Sequence, residues 1–264
     1  LAALLTSVKT NLEKAAIYLN ECRLSGIRVL VADVNRSRSD FVPARLDDGS
    51  EVIPFGLSAV RNVGSALVDQ LLEERDANGP FSSFFDFCDR VPLPVLNKRA
   101  VESLIKGGGF DSLGHPRKGL LTVFETIVDM TVARRRQEDQ GVMSLFDDAG
   151  SGGDGGFDDR PEVPDLEFDK TDKLRFEKEM LGLYVSDHPI MGLEDALRRR
   201  TEVSLRELIE QVEAAEAGEG VVAPEPERGR DGRPRDRVVA VGGVVTGLQH
   251  KFTRNNDRMA VFTL

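Results

Sequence analysis

The sequence predicts a multidomain, mainly α-helical protein with two short β-rich parts. Its 264 residues are enough for about two domains at roughly 100 to 200 residues per domain. Apolar residues recur at helical spacing through most of the chain, with glycines between the runs. Alternating apolar and polar residues, the pattern of strands, mark only residues 28–55 and 237–264. A helical majority with two small β elements is therefore expected.

The composition favours a soluble protein of a reducing compartment. Apolar residues make up 40% and charged residues 30% of the chain, and no apolar run approaches the roughly 18 to 20 residues of a membrane span. The two cysteines, Cys22 and Cys88, show neither disulfide nor zinc-site spacing. The apolar start of the chain lacks a basic region, which favours a helix at the edge of a fragment over a signal peptide. We therefore expect a cytoplasmic protein without a membrane segment.

The net charge of −10 is unevenly distributed along the chain. Residues 1–139 contain 18 Lys and Arg against 19 Asp and Glu, so this part is nearly neutral and the remainder carries −9. No broad basic field would steer DNA toward either part. A DNA-binding surface in the first half would therefore depend on backbone amides and a few local cations.

Residues 1–55 predict a helix followed by short strands. The apolar positions of residues 10–25 fall on one helical face, and Gly26 follows as a C-cap. Asp48 and Gly49 lie between two short alternating runs, which predicts a hairpin turn. The predicted buried face of the helix consists of Leu12, Ala16, Leu19 and either Cys22 or Arg23.

Two glycine-containing helical pairs follow. The first, in residues 56–75, has the helix-hairpin-helix pattern, with Gly64 at the hairpin and Asn62 where the pattern usually has another glycine. Asn tolerates a left-handed backbone, so we expect the turn to survive. Free N–H groups at the start of the next helix would bind a phosphate without reading base edges. A second unit is predicted at residues 96–114; the alternative is that both units are helix C-caps in a bundle.

The segment 140–148, QGVMSLFDD, lies between a predicted long helix and an acidic linker. Its apolar residues have no core to join there, which favours a peptide that docks on a partner. Leu145 and Phe146 would each contribute roughly 1.5 to 3 kcal/mol on burial, with Gln140 or Met143 setting the register. The alternative is that these residues cap the helical bundle.

The Val-rich runs of residues 237–264 predict a β-hairpin with Lys251 and Arg254 near its turn. A five-stranded nucleic-acid-binding barrel would begin in this way. The alternative is an ordinary hairpin with a basic turn.

Other chemical groups do not combine into a site. Asp33 is predicted to have a structural role, as an N-cap or in a turn. Glu177 and Glu179 lie on different helical faces and are predicted to be solvated. No nucleophile with a base and no phosphate loop is visible. The histidines, which share no metal-ligand spacing, are His115, His188 and His250.

Five blocks of the chain together resemble the bacterial family C replicative polymerases, the DNA polymerase III alpha subunits. In order along the chain they are KAAIYLNECRLSGIRVLVADVNRS, GLSAVRNVGSALVDQLLEER, LNKRAVESLIKGGGFDSLG, LGLYVSDHPI and VVAVGGVVTGLQHKF. The resemblance covers nearly the whole chain and implies a C-terminal part of such a polymerase. The implied fold class is an α/β piece from the end of the fingers, a tandem helix-hairpin-helix bundle and an incomplete OB-type β-barrel.

The resemblance, with the composition of the linkers, implies seven parts. They are the end of the fingers domain, 1–55; a tandem helix-hairpin-helix DNA-binding domain, 56–139; a sliding-clamp-binding motif, 140–146; an acidic linker expected to be disordered, 147–169; a helical connector, 170–217; a second linker, 218–236; and the start of an oligonucleotide-binding (OB) barrel, 237–264.

The resemblance also implies a function. The intact protein is expected to be a DNA-directed DNA polymerase whose catalytic carboxylates and Mg²⁺ lie outside this sequence, so that no catalytic residue and no cofactor is expected here. The expected partners are primer–template duplex, the sliding clamp (the beta subunit), other polymerase III holoenzyme subunits and, through the OB fold, single-stranded template. The alternatives are an error-prone paralogue of the family, a helix-hairpin-helix repair protein and a protein-interaction scaffold.

These considerations identify two sets of candidate site residues. The candidate DNA-binding residues are Arg61, Asn62, Val63, Gly64, Ser65, Lys98, Arg99, Gly107, Gly108, Gly109, Lys251 and Arg254. The candidate clamp-binding residues are Gln140, Met143, Leu145 and Phe146, and a shorter register of that motif would place Val142 at the position of the glutamine.

Overall fold

The structure is a computed structural model with two compact units, residues 1–188 and 189–264. None of its described helices is long and apolar enough to cross a membrane. The residues that the structure describes are 1–46, 48–139, 160–204, 207–210, 214, 239–245, 247–254 and 256–263.

The first unit contains seven helices and three short strands among its described residues. The helices are α1 (Ala2–Ser7), α2 (Leu12–Leu24), α3 (Ser65–Asn78), α4 (Phe84–Arg90), α5 (Lys98–Lys106), α6 (Arg117–Asp139) and α7 (Lys170–Leu181). The strands are β1 (Arg28–Leu30), β2 (Ala44–Arg45) and β3 (Glu51–Pro54), and single 3-10 turns lie at Leu57–Ala59, Leu93–Leu96 and Asp111–Leu113.

Helix α2 begins where a polar side chain caps it and ends at a glycine. The side chain of Asn11 accepts a hydrogen bond from the Lys14 N–H at 3.0 Å, and Gly26 follows with a left-handed φ of 70°. Its buried residues are Ala15, Leu19 and Cys22. The predicted face was therefore wrong in its first turns, where Leu12 and Ala16 are exposed. Leu12 instead packs over the backbone of Gly182.

The three strands form one small sheet in the order β1-β3-β2. Strand β1 pairs in parallel with β3, and β2 pairs with β3 in antiparallel orientation. The predicted turn at Asp48 and Gly49 is confirmed, since Gly49 has φ 82° and the Leu46 N–H donates to the Ser50 carbonyl at 2.9 Å. The predicted turn role of Asp33 is also confirmed, because its carboxylate accepts from the Asn35 and Arg36 N–H groups.

A single hydrophobic core runs through the first unit, from Ala2 to Val185. At its centre the rings of Phe84, Phe87 and Phe110 contact one another, with the closest centroids 4.9 Å apart. This core crosses the sequence positions 55 and 139 that were expected to separate domains. The parts 1–55 and 56–139 therefore pack as one unit, and their family assignments stay predictions.

The returning segment, residues 160–169, packs back onto this unit. Arg160 forms a salt bridge of 2.8 Å with Asp89 and lies over the Phe85 ring, and the Gly119 N–H donates to the Leu166 carbonyl at 2.9 Å. This corrects the prediction of a disordered linker for residues 160–169, because their apolar and charged side chains find partners that a single sequence does not show. Residues 147–159 of that linker lie outside the described residues.

Helix α7 is joined to α6 by a buried ion pair. Arg117 lies 3.4 Å from Glu177 and 2.6 Å from Asp111, and the Ser186 hydroxyl donates to the Glu177 carboxylate at 2.8 Å. Only 1% of Glu177 is exposed, whereas Glu179 is exposed as predicted. The prediction that Glu177 is solvated was wrong, because the residue shares a face with Leu174 and Leu181 and its positive partner lies 60 residues away. The expected connector 170–217 is thus divided, with its start inside the first unit.

The described part of the second unit includes a short helix and a β-hairpin. Helix α8 spans Glu194–Arg198, and strands β4 (Gly247–Phe252) and β5 (Arg258–Thr263) pair in antiparallel orientation. The predicted hairpin is confirmed, with Asn256 at φ 64° in its turn. Closure into an OB barrel stays a prediction, and residues 218–236 lie outside the described residues.

The buried ion pair yields a stability prediction. Replacing Arg117 with Leu leaves the Glu177 carboxylate buried without its cation, so we expect the free energy of unfolding of the first unit to fall by about 3 to 5 kcal/mol. Urea denaturation followed by circular dichroism measures the change. The control is Arg175→Leu, on the exposed side of α7, which should change stability by no more than about 0.5 kcal/mol. Equal effects of the two substitutions would contradict this role for the ion pair.

Candidate nucleic-acid interface

The first hairpin, residues 60–64, joins the 3-10 turn at Leu57–Ala59 to α3. Val63 points into the core with 5% exposure, while Asn62 and Gly64 are exposed on either side of it. Asn62 has φ 64°, which confirms the prediction that Asn takes the left-handed position of the usual glycine. The alternating burial therefore places the polar backbone of this turn at the surface.

Gly64 is not required by the conformation of the hairpin. Its φ of −78° is accessible to any residue, and a Cβ added there would meet nothing within 4 Å. The free space lies outside the protein, next to the first turn of α3. A glycine at this place leaves room for a ligand to approach the backbone closely.

Helix α3 begins without a capping side chain. Gly64 is its N-cap residue and provides no side-chain acceptor, so the first N–H groups of the helix remain without an intrahelical partner. The other long helices of the described chain begin differently, because carboxylate or amide oxygens accept from the first turn of each. These acceptors belong to Asn11 in α2, Asn97 in α5, Glu167 in α6 and Asp169 in α7. The start of α3 is therefore an exposed, electropositive helix end.

Two contacts hold the first hairpin in place from inside the protein. The Arg61 N–H donates to the Met180 carbonyl at the end of α7, at 2.9 Å. The side-chain amide of Asn62 donates to the Ser103 hydroxyl on α5, also at 2.9 Å. That hydroxyl in turn donates to the Arg99 carbonyl one turn earlier in α5. The first hairpin thus lies beside the helix that carries Arg99.

The candidate cations differ in whether a carboxylate already forms a salt bridge with them. The side chains of Arg61 and Arg99 are exposed, and neither forms a salt bridge with any residue that the structure describes. Lys98 instead lies 2.8 Å from Asp129 and 3.7 Å from Glu125 on α6. The hydrogen bond to Asp129 raises the pKa of Lys98, and the two carboxylates offset its charge. Of the three candidate cations in the first unit, the two arginines are therefore available to an anion without breaking a described ion pair.

The second hairpin, residues 107–110, is closed. Gly107, Gly108 and Gly109 are buried, and their N–H groups donate to carbonyls of α5 at 2.7 to 3.1 Å. Gly108 has φ 87°, and a Cβ there would collide with the guanidinium of Arg117. This closed geometry does not favour the predicted contact of these three glycines with DNA, which stays a prediction. Their amides are already used, because they terminate α5 in the manner of a C-cap.

The helix that follows the second hairpin is also covered. The Arg117 N–H donates to the Glu167 carboxylate at 3.3 Å, and the Gly119 N–H donates to the carbonyl of Leu166. Lys173 pairs with the same carboxylate at 2.8 Å. Burial alone would raise the pKa of Glu167, but the hydrogen bond from Lys173 helps to outweigh this effect, so the pKa is lowered. The returning segment thus supplies the anion at the start of α6. Sequence reasoning missed Glu167 because 50 residues separate it from its partner.

The remaining candidate residues lie elsewhere. Lys251, in β4, and Arg254, in the following turn, are exposed in the second unit. The candidate clamp-binding residues Gln140, Met143, Leu145 and Phe146 lie outside the described residues. Val63 is a core residue and Ser65 starts α3.

The described residues offer no alternative chemical centre. They bring no three His, Cys, Asp or Glu side chains into a group that could hold a metal ion. Cys22 and Cys88 are buried, and burial raises the pKa of each thiol, so neither is activated as a nucleophile. Burial lowers the pKa of His115, whose ring packs edge-on against the ring of Phe85.

Comparison with known proteins places this geometry in a family. A model described as a helix-hairpin-helix motif matches residues 26–120. The DNA polymerase III subunit alpha of Saccharopolyspora erythraea is 40% identical and covers 100% of this chain and 20% of its own length. The corresponding proteins of Mycobacterium tuberculosis and Thermus aquaticus are 38% and 37% identical, over 97% and 100% of this chain and 20% and 19% of their own length.

The similarity extends through both units, so it does not rest on the helix-hairpin-helix motif alone. It confirms the resemblance drawn from the five sequence blocks. The chain spans about a fifth of the length of these curated relatives, and over that span it belongs to the family of bacterial DNA polymerase III alpha subunits.

Proposed function

We propose that this chain binds the backbone of duplex DNA without sequence preference, as part of a replicative DNA polymerase. The observation that carries the proposal is the uncapped, exposed start of α3 beside the unpaired Arg61 and Arg99. Backbone N–H groups and a helix N-terminus bind phosphate oxygens, and two arginines nearby add charge. None of these groups is placed to read a base edge, so the contact is independent of sequence.

The charge distribution sets how strong this contact is. Because residues 1–139 are nearly neutral, long-range attraction contributes little and affinity comes from the few groups at the surface. One hairpin rather than two contacts the duplex, since the second is closed by the protein itself. We expect a weak, salt-sensitive interaction that gains strength when other parts of a larger protein bind the same DNA.

The polymerase activity belongs, in this proposal, to the whole protein. The curated relatives are named DNA polymerase III subunit alpha and are about five times as long as this chain. As the resemblance implies, the proposal places DNA-directed nucleotidyl transfer and its Mg²⁺ outside this chain. The whole-chain similarity favours a polymerase over a helix-hairpin-helix repair protein; replicative and error-prone members are distinguished by the clamp contact proposed next.

A second part of the proposal concerns the sliding clamp, the beta subunit. It rests on sequence, since Met143, Leu145 and Phe146 form an apolar cluster next to acidic and glycine-rich residues. Helix α6 ends at Asp139, directly before Gln140, so the motif follows this helix in the sequence. Contacts with other holoenzyme subunits, and with single-stranded template through Lys251 and Arg254 of an OB fold, belong to the same proposal.

Salt dependence tests the backbone contact. Duplexes of unrelated sequence should bind the 264-residue chain equally, with a slope of log affinity against log salt of about 0.9 per phosphate contact. Arg61→Gln and Arg99→Gln should each lower that slope by about 0.9. Fluorescence anisotropy at four salt concentrations measures it. Sequence-selective binding, or binding that ignores salt, would refute a backbone contact.

A substitution at Gly64 tests duplex binding separately from folding. Gly64→Val should leave the fold intact, since its φ and the free space admit a side chain. Duplex binding should weaken roughly tenfold, because the side chain keeps a phosphate from amides worth about 1.5 kcal/mol or more. Anisotropy and thermal unfolding are measured on the same samples. Unchanged affinity would show that DNA does not approach this turn.

The pairing of Lys98 predicts a gain in binding. Asp129→Asn releases the Lys98 ammonium from its nearest carboxylate, so duplex affinity should rise about twofold to tenfold and the salt slope by up to about 0.9. Asp139→Asn is the matched control, with the same charge change at the far end of α6. If both variants bind equally well, the gain is a general charge effect and Lys98 does not contact DNA.

The clamp contact is tested by Leu145→Ala/Phe146→Ala. If both side chains enter an apolar pocket, their loss should remove roughly 3 to 6 kcal/mol and take a micromolar complex out of range. Surface plasmon resonance with an immobilised clamp measures this, and duplex binding should not change. An unaltered clamp affinity, or an equal loss for both partners, would indicate that these residues stabilise the bundle instead.

A further inference from the structure

Ser103 occupies an unusual position between the two hairpins. It lies in the middle of α5 with 2% exposure. Its hydroxyl accepts from the side-chain amide of Asn62 and donates to the Arg99 carbonyl, each at 2.9 Å. Both hydrogen-bonding capacities of this buried group are therefore directed at residues of the candidate interface.

Asn62 is the residue that needs such a partner. A left-handed backbone costs a residue with a side chain roughly 1 kcal/mol relative to glycine, and Asn bears this cost better than most because its amide can be anchored. In the first hairpin the anchor is the Ser103 hydroxyl, 41 residues away. Where the usual pattern has glycine, this chain thus has an Asn–Ser pair.

We propose that Ser103 is a positioning residue for the duplex contact. By fixing the Asn62 amide it holds the first hairpin in the conformation that exposes the start of α3, and it sets that turn against the Arg99 turn of α5. The proposal rests on the proposed backbone contact and adds a dependence of that contact on a residue that DNA does not touch.

The closed second hairpin acquires a role in this arrangement. Helix α5 is fixed at its end by Gly107 to Gly109, whose N–H groups return to the helix, and Gly107 lies against Leu181 of α7. The other anchor of the first hairpin, the Met180 carbonyl, is on the same helix α7. The second glycine-containing pair therefore serves as a scaffold that orients the first.

The effect on binding follows from populations. If the anchored turn is the state that binds, losing the anchor lowers its population, and the apparent dissociation constant rises by the same factor at every salt concentration. The number of phosphate contacts does not change, so the salt slope stays constant. Removing a contacting cation changes the slope instead, which separates a positioning residue from a contacting one.

The experiment compares five forms of the 264-residue chain: wild type, Ser103→Ala, Asn62→Gly, the double variant and Ser37→Ala. Ser37 is the matched control, because its buried hydroxyl accepts from the Asp33 N–H rather than from a residue of the first hairpin. Duplexes of arbitrary sequence are titrated at four salt concentrations. Hydrogen exchange of the Val63 N–H, which donates to the Val60 carbonyl inside the turn, is followed by NMR.

We expect Ser103→Ala to weaken binding about threefold to tenfold with an unchanged slope, as the loss of one hydrogen bond permits. Asn62→Gly provides the reference affinity for the double variant, because glycine adopts φ 64° unaided and needs no anchor. In that background Ser103→Ala should have no further effect on binding. Exchange at Val63 should accelerate in Ser103→Ala alone, and Ser37→Ala should change neither measurement.

Three outcomes would overturn the proposal: wild-type affinity in Ser103→Ala, a reduced slope, or the same loss with glycine at position 62. A failure of the proposed function looks different, since the wild-type chain would then not bind duplex at all. In that case hydrogen exchange of the Val63 N–H still tests whether Ser103 anchors the first hairpin. Faster exchange at Val63 that glycine at position 62 abolishes supports the anchoring role, and unchanged exchange refutes it.

Discussion

The buried ion pair between Arg117 and Glu177 is the interaction on which the arrangement of the first unit depends. A pair this deep contributes specificity more than net stability, because desolvation of both charges offsets most of their attraction. Its geometric consequence is that α7 must lie against α6 and the second hairpin. From that position α7 provides the carbonyl of Met180 to the first hairpin, and the carbonyl of Tyr184 just beyond it accepts from Arg23 of α2. One charged contact thus orients elements far apart in sequence.

The two hairpins have similar sequences and opposite surroundings. At the first, a left-handed Asn and an uncapped helix leave backbone donors at the surface. At the second, the backbone N–H groups donate to carbonyls of α5, and the Glu167 carboxylate is the anion at the start of α6. A carboxylate and a phosphate satisfy a helix N-terminus through the same physics. The pattern of glycines therefore identifies a helix end suited to an anion, and the rest of the fold determines whether that anion comes from outside.

Features that depend on residues close together in the sequence were predictable, whereas features that depend on residues far apart in the sequence were not. The turn at Asp48 and Gly49, the C-cap at Gly26 and the left-handed Asn62 depend on local backbone preferences, and each was predicted. The burial of Glu177 and the packing of Glu167 depend on Arg117, 60 and 50 residues away, so helical periodicity classified Glu177 wrongly and linker composition did not indicate the contact of Glu167. The exposed start of α3 was predictable, but the closure of the second hairpin was not, because it results from tertiary hydrogen bonds.

The nearly neutral charge of residues 1–139 suits the proposed function, in which the protein holds DNA and still moves along it. Strong basic fields increase affinity through many phosphate contacts, each of which must be broken for every step. Here the described candidate contacts are few, and Lys98 is restrained by two carboxylates. Sequence-independent amide contacts of this kind present the same environment to each successive phosphate. In the proposed function, retention on DNA comes from other binding sites, since a ring-shaped partner or a second DNA-binding part would raise the effective concentration without strengthening the individual contact.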